Sequence, residues 1–311
     1  DILLRRGQLA QLHCEPSAII EAWQLVIEAG FHLDKARRAL ESAYMSQTRY
    51  DMAAEVLESS WKAEKNRPEG VEIGQRLIAL LEEHLERPHD ALRLARDLLL
   101  YSPGDRQSLL ACHRISHGLA MYTEAVDFGR RLRTVLAVDD PLKPEILRTD
   151  ARVLGDQLGR WKSAILCWQE LLAYQPSDDE AFDALCALHR AAEDHRSLAA
   201  TLRRRLALLD EPPADLLYGY AAALAECGDS NLEAIACLDR IAARDPGNLK
   251  AFGLSKSLLE KEGDWSALLT RFEALLDIHE EAQRSELWLE MANIAQDKVG
   301  DVELAIGILG R

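Results

Sequence analysis

The chain has 311 residues, 48% of them hydrophobic and 29% charged, and a formal net charge of −15. This balance is that of a soluble globular protein, and the acidic excess argues against a general nucleic-acid binder, whose basic surface displaces counterions from phosphate. No run of 18 apolar residues offers a membrane helix, and 17 Gly with 10 Pro leave little material for the turns of an all-β fold.

Taken in chain order, one phrase recurs. A small or aliphatic residue is followed four positions later by a bulkier one and then by Leu, Ile or another apolar residue. It reads Ile19, Trp23, Ile27; then Ala53, Leu57, Trp61; then Ala91, Ala95, Leu99; then Ala125 alone; then Ala164, Trp168, Leu172; then Leu198, Leu202, Leu206; then Ala234, Leu238, Ala242; then Leu268, Phe272, Leu276; and finally Ala305. The spacings between first members are 34, 38, 34, 39, 34, 36, 34 and 37, so short and long units alternate. The prolines follow the same period: Pro103, Pro176 and Pro246 are 73 and 70 apart, and Pro68, Pro141 and Pro212 are 73 and 71 apart. Proline cannot continue a helix, so each marks a junction.

Between junctions the apolar residues recur every three or four positions, which predicts helices. Leu147, Ala151, Leu154 and Leu158 form one stripe, Gly159-Arg160 interrupts it, and Trp161, Ala164, Ile165, Trp168, Leu171 and Leu172 form the next. Gly228-Asp229 and Gly263-Asp264 interrupt later stripes in the same way. Two antiparallel helices cannot bury their stripes alone, but stacked pairs share a continuous core. The expected fold is therefore all-α: a superhelical α-solenoid of antiparallel helix pairs, one domain over 1–311. Its approximate units are 1–32, 33–68, 69–103, 104–140, 141–176, 177–211, 212–246, 247–282 and 283–311, the last truncated.

The stretch from Leu158-Gly159-Arg160-Trp161 through Ala164 and Trp168 to Pro176 resembles the tetratricopeptide repeat (TPR), which has a small residue, a bulky one four later and a closing proline. Ala234, Leu238 and Pro246 match with Leu in the aromatic place, and Ala91 with Pro103 match at the ends. The resemblance covers essentially the whole chain and is closest to degenerate two-beat arrays in large bacterial proteins. The first helices depart from it: the family's Trp-x2-Leu-Gly-x2-Tyr phrase is missing, and Tyr44 is its clearest survivor. The resemblance implies that ligands lie in a concave groove lined by first helices. The polar residues expected there are Arg76, Glu83, Arg114, His117, Thr149, Asp156, Asp183, Arg190, Tyr218 and Glu226. A Lys/Asn carboxylate clamp is not expected, because these helices contain almost no Lys or Asn.

No GxSxG, HExxH, GxxxxGK[ST] or GxGxxG motif is present, so neither a catalytic centre nor a bound cofactor is expected. Paired acids such as Glu82-Glu83, Asp139-Asp140 and Asp178-Asp179 read as solvated charge. The best metal-like grouping is Cys112-His113-x3-His117, whose histidines share a helix face. No third ligand is evident in the sequence, His117 is expected to face the groove, and the chain is read as holding no metal. Cys14, Cys112, Cys167, Cys186, Cys227 and Cys237 include no CxxC pair and read as small core residues in a reducing compartment. Arg130, Arg131, Arg133 and Arg203 to Arg205 are placed on second helices, facing outward.

These readings combine into a non-enzymatic scaffold or adaptor that binds a protein or peptide in the groove or along its edge. The alternative is a regulatory or substrate-recruiting arm of a larger enzyme. The chain begins at Asp1 and is read as a segment of a longer, cytoplasmic protein without a signal peptide or membrane span. Ile306, Ile308 and Leu309 are expected to leave an apolar edge at which the array continues or self-associates. Residues 208–311 hold 9 Lys+Arg and 20 Asp+Glu, a net of −11, which favours a basic partner.

Overall fold

The computed structural model describes residues 2–13, 15–30, 32–65, 67–228, 230–276 and 281–310; Cys14 and Asp229 lie outside them. Among the described residues there is no strand, and no helix is long and apolar enough to cross a membrane. The helices come in pairs: α1 (Ile2–His13) with α2 (Pro16–Glu28), α3 (Leu33–Ser46) with α4 (Tyr50–Glu64), α5 (Pro68–Glu83) with α6 (Pro88–Tyr101), and α7 (Arg106–Gly118) with α8 (Tyr122–Val135). Then follow α9 (Leu142–Asp156) with α10 (Trp161–Tyr174), α11 (Asp179–Ala191) with α12 (His195–Leu206), α13 (Ala214–Cys227) with α14 (Asn231–Arg244), and α15 (Leu249–Glu262) with α16 (Trp265–Leu276). The last pair is α17 (Glu281–Ile294), extended by a π-helical turn at Ala295–Val299, and α18 (Val302–Leu309).

Local chemistry sets where these helices begin. Asp105, Asp178, Asp194, Ser230, Asn248, Asp264 and Asp301 each accept a hydrogen bond from the backbone N–H three residues on, satisfying a donor that the first turn would leave open. Pro68 and Pro88 stand in the first turns of α5 and α6, where no N–H is required. The turn inside each pair from α3/α4 onward holds one residue in the left-handed region: Thr48, Glu86, Ala120, Gly159, Glu193, Gly228, Gly263 and Gly300. The breaks at Gly159, Gly228 and Gly263 were visible as punctuation; four of these turns use non-glycine residues at φ of 52° to 56°, a conformation that crowds Cβ.

The recurrent small residues are where the second helices meet their neighbours. Ala53, Ala91, Ala125, Ala164, Ala234 and Leu268 are wholly inaccessible, and Leu198 and Ala305 are nearly so. Four positions on, Trp23, Leu57, Ala95, Trp168, Leu202, Leu238 and Phe272 are also buried. Residues 1–167 and 168–311 form two compact units. In the first, successive helices from α1/α2 to α8/α9 pack on each other in chain order, and α5 also touches α7. In the second, α11 to α18 do the same, and α13 also touches α15. Within each unit this succession of helix on helix is the α-solenoid arrangement of TPR-like arrays. Trp168 is buried in α10, whereas Trp161, which opens that helix, is exposed. In α18, Ile308 turns inward against Ala305 and the α16–α17 core, correcting the expectation that it lies open; Ile306 and Leu309 are exposed.

Candidate functional site

In residues 1–167 the first helices are joined by polar rungs. Arg76 on α5 reaches both carboxylate oxygens of Glu41 on α3 at 2.8 Å. Arg114 on α7 reaches Glu82 on α5 at 2.7 Å, and Gln75 on α5 donates to Asp105, the N-cap of α7, at 2.9 Å. In both ion pairs the carboxylate is recessed and the guanidinium is open to solvent. Burial raises the pKa of Glu41 and of Glu82, and the paired arginine opposes that rise in each case. Glu82 is thus part of a packed rung and not a solvated acid. Between α5 and α7 lies a shallow cavity of about 350 Å³, lined by Gln75, Ile78, Ala79, Glu82, Gln107, Leu110, Ala111 and Arg114.

The ten residues expected in the groove fall into different settings. Arg76 and Arg114 stand on adjacent first helices as described, and Glu83, Asp156, Arg190 and Glu226 are exposed near the C-terminal ends of α5, α9, α11 and α13. Thr149 is half-buried and donates to the Glu145 carbonyl of its own helix. Asp183 is held by Arg205 of α12, which also binds Asp179, so it leans toward the second helix of its own pair. Tyr218 is partly buried against the core of residues 168–311. Among the described residues no ion pair or hydrogen bond joins any two of the ten. The arginines of the second helices are also engaged: Arg131, Arg204 and Arg244 donate to the carbonyls of Pro103, Leu172 and Pro212, one repeat upstream.

His117 does not sit open in the groove. It lies with His113 against Asp150 of α9, in a cluster that the sequence concealed. His113 Nε2 is 3.0 Å from Asp150 Oδ1, His117 Nε2 is 3.8 Å from the same oxygen, and the imidazoles meet edge to face at 4.7 Å. Asp150 is 0% exposed. Its Oδ2 and the His117 Nε2 have no hydrogen-bond partner within the protein. Cys112 does not join them: burial pushes its thiol up to about 12, and the charges around it are Arg96, Arg131 and Glu124 of α6 and α8. One sequence signal marks the cluster. The place four after the small residue holds Trp23, Leu57, Trp168, Leu202, Leu238 or Phe272 in most pairs and Ala95 in one, but Gly129 after Ala125. A Cβ on Gly129 would lie 2.8 Å from Asp150 Oδ1 and nearer still to Oδ2, so the carboxylate occupies the space that a core side chain fills elsewhere.

No protein-family model matches the sequence, and no curated protein matches it. Solved structures do align with it. The structure of Naa15/Naa10 bound to HypK-THB aligns at 16% identity and TM-score 0.49 over 87% of this chain, which spans only 40% of that one. A tetratricopeptide repeat protein from Parabacteroides merdae aligns at 13% identity and TM-score 0.39, covering 85% of this chain and 96% of that one. YrrB, a TPR protein with an unusual peptide-binding site, aligns at 17% identity and TM-score 0.38, covering 66% of this chain and all of that one.

Proposed function

We propose that this chain is a non-catalytic protein–protein interaction scaffold that receives an extended peptide or a helix of its partner on the first-helix face of residues 1–167. The observation that carries the reading is the shallow cavity between α5 and α7. It offers apolar contact from Ile78, Ala79, Leu110 and Ala111, with Gln75, Glu82, Gln107 and Arg114 as polar contacts. A binding face of this kind needs an apolar floor for affinity and few polar groups for orientation. Arg76 and Arg114 project outward from their recessed carboxylates, and an exposed ion pair holds its members by only about 0–1 kcal/mol. A partner's carbonyl or carboxylate can therefore recruit either guanidinium at little cost. Glu83 on α5 and Asp156 on α9 are assigned to the same face; Arg190 on α11 and Tyr218 and Glu226 on α13 are assigned a like role on the first helices of residues 168–311. A basic flank on the partner would be steered by the acidic excess of residues 208–311.

The test is capture of partners with the 311-residue chain as bait, followed by identification and direct affinity measurement. Arg114→Glu and Leu110→Arg should each weaken the recovered complex at least about tenfold, a loss of about 1.4 kcal/mol. Undiminished affinity in both variants, with helicity unchanged, would place the binding surface elsewhere.

A further inference from the structure

From the His113–His117–Asp150 cluster we infer a structural site for a divalent transition-metal ion of the zinc class, bridging α7 and α9 and so tying two consecutive helix pairs together. Three observations converge. The histidines are four residues apart on α7 and present their Nε2 atoms to one carboxylate oxygen, at 3.0 and 3.8 Å. A tetrahedral zinc with bonds of about 2.0–2.1 Å spaces its ligand atoms about 3.4 Å apart, between these two values. Ligand atoms from all three residues lie within 4.8 Å of one another, so small side-chain rotations would bring them to a common centre.

The second observation is the pair of unpartnered atoms. His117 Nε2 and Asp150 Oδ2 are buried and lack hydrogen bonds within the protein, in a cluster where Asp150 is 0% exposed. A buried carboxylate with one oxygen unsatisfied is costly. A divalent cation answers both deficits, by taking the His117 lone pair and by neutralising the carboxylate. Asp150 Oδ2, or a water entering beside the partly exposed His117, would complete the coordination sphere.

The third is that the core is built to admit the carboxylate. Ala39, Leu77 and Ala111 stand fourteen residues before the small residues Ala53, Ala91 and Ala125; in the same place before Ala164 stands Asp150. On the facing helix Gly129 stands where most pairs carry a bulky residue, and a Cβ there would lie 2.8 Å from Asp150 Oδ1 and nearer still to Oδ2, so either it or the carboxylate would have to shift. Two apolar positions of the repeat are thus exchanged together at one junction. That is the pattern of a polar site inserted into a core and not of a chance polar residue.

The experiment uses the 311-residue chain purified without an affinity tag and treated with chelator, then titrated with Zn²⁺ alone and with Co²⁺ alone. Wild type should take up one equivalent of Zn²⁺. Co²⁺ should give visible d–d absorption of a low-symmetry site, abolished by added Zn²⁺. Zinc at about a hundredfold its Kd should raise Tm by about 5 °C. His117→Gln, which leaves the His113–Asp150 hydrogen bond in place, should lower zinc affinity at least about tenfold and abolish the Tm rise. Asp150→Asn should do the same, while the exposed His89→Gln should change nothing. Folded wild type that takes up no stoichiometric zinc would overturn the inference and leave the cluster a hydrogen-bonded His–Asp bridge. So would uptake that survives both His117→Gln and Asp150→Asn.

Discussion

At the scale of the residue, burial and backbone angle decide most of what can be tested. Ala120 turns α7 into α8 at φ 56°, where its Cβ is crowded. Ala120→Gly should relieve that crowding and, after the entropic penalty of glycine, raise stability by about 0.5–1 kcal/mol in chemical denaturation; a loss of stability would mean that the turn does not hold this angle. Trp168 is buried at the best-formed repeat position, so Trp168→Ala should cost about 3–5 kcal/mol, and a loss below about 1 would place its ring at the surface. His189 is buried in α11 with neither ring nitrogen partnered within the protein. Burial lowers its pKa below 6.5, against the pull of Asp194. The unfolded chain therefore binds this proton first as pH falls past about 6.5, and stability declines from there down through the folded-state pKa. His189→Leu should flatten the fall in denaturation midpoint between about pH 7 and 5; an unaltered slope would show that His189 takes up its proton equally in both states.

At the scale of the element, the α8–α9 contact is the most informative. Gly129 and Asp150 share one space, so Gly129→Ala should destabilise the chain by about 1–3 kcal/mol although alanine is the better helix former. In an Asp150→Ala background the same change should cost at least about 0.5 kcal/mol less, since the carboxylate it collides with is gone. Equal costs in both backgrounds, measured in a double-mutant cycle, would remove the proposed contact. This junction also shows where sequence reading reached and where it stopped. The period of the small residues is written in the sequence because every pair must bury the same contact, and Ala53, Ala91, Ala164 and Ala234 are indeed wholly inaccessible. Four of the pair turns were not legible, because Thr48, Glu86, Ala120 and Glu193 adopt a left-handed angle that tertiary packing imposes against their own preference. Asp150 was not legible beside His113 because their proximity is a product of stacking α9 on α8 and α7, 37 residues along the chain. His117 shares the register of Glu83, Asp156 and Arg190, which are exposed, but is recessed where it meets His113 and Asp150.

At the scale of the whole molecule, the two compact units, 1–167 and 168–311, differ in chemistry. The first carries the Glu41–Arg76 and Glu82–Arg114 rungs and the cavity between α5 and α7; the second contains the whole of the strongly acidic stretch from residue 208 on. Several acids there are already engaged. Glu233 accepts from the Tyr220 hydroxyl at 2.7 Å, and burial first and this bond second raise that phenol's pKa above its usual value; Asp239 and Glu290 pair with Arg271 and Lys256. Steering of a basic segment therefore falls to unpaired surface acids such as Glu226, and such steering should weaken as salt rises from about 50 to 300 mM, because the Debye length shortens. Binding that is independent of salt would leave the acidic excess with a role in solubility alone. The most direct test of the scaffold reading is hydrogen exchange on the 311-residue chain, free and saturated with a partner recovered by capture. The expected result is slowed exchange concentrated in α5 and α7, with α6 and α8 unchanged. Protection confined to the second helices α6 and α8, or absent from residues 68–118, would contradict it.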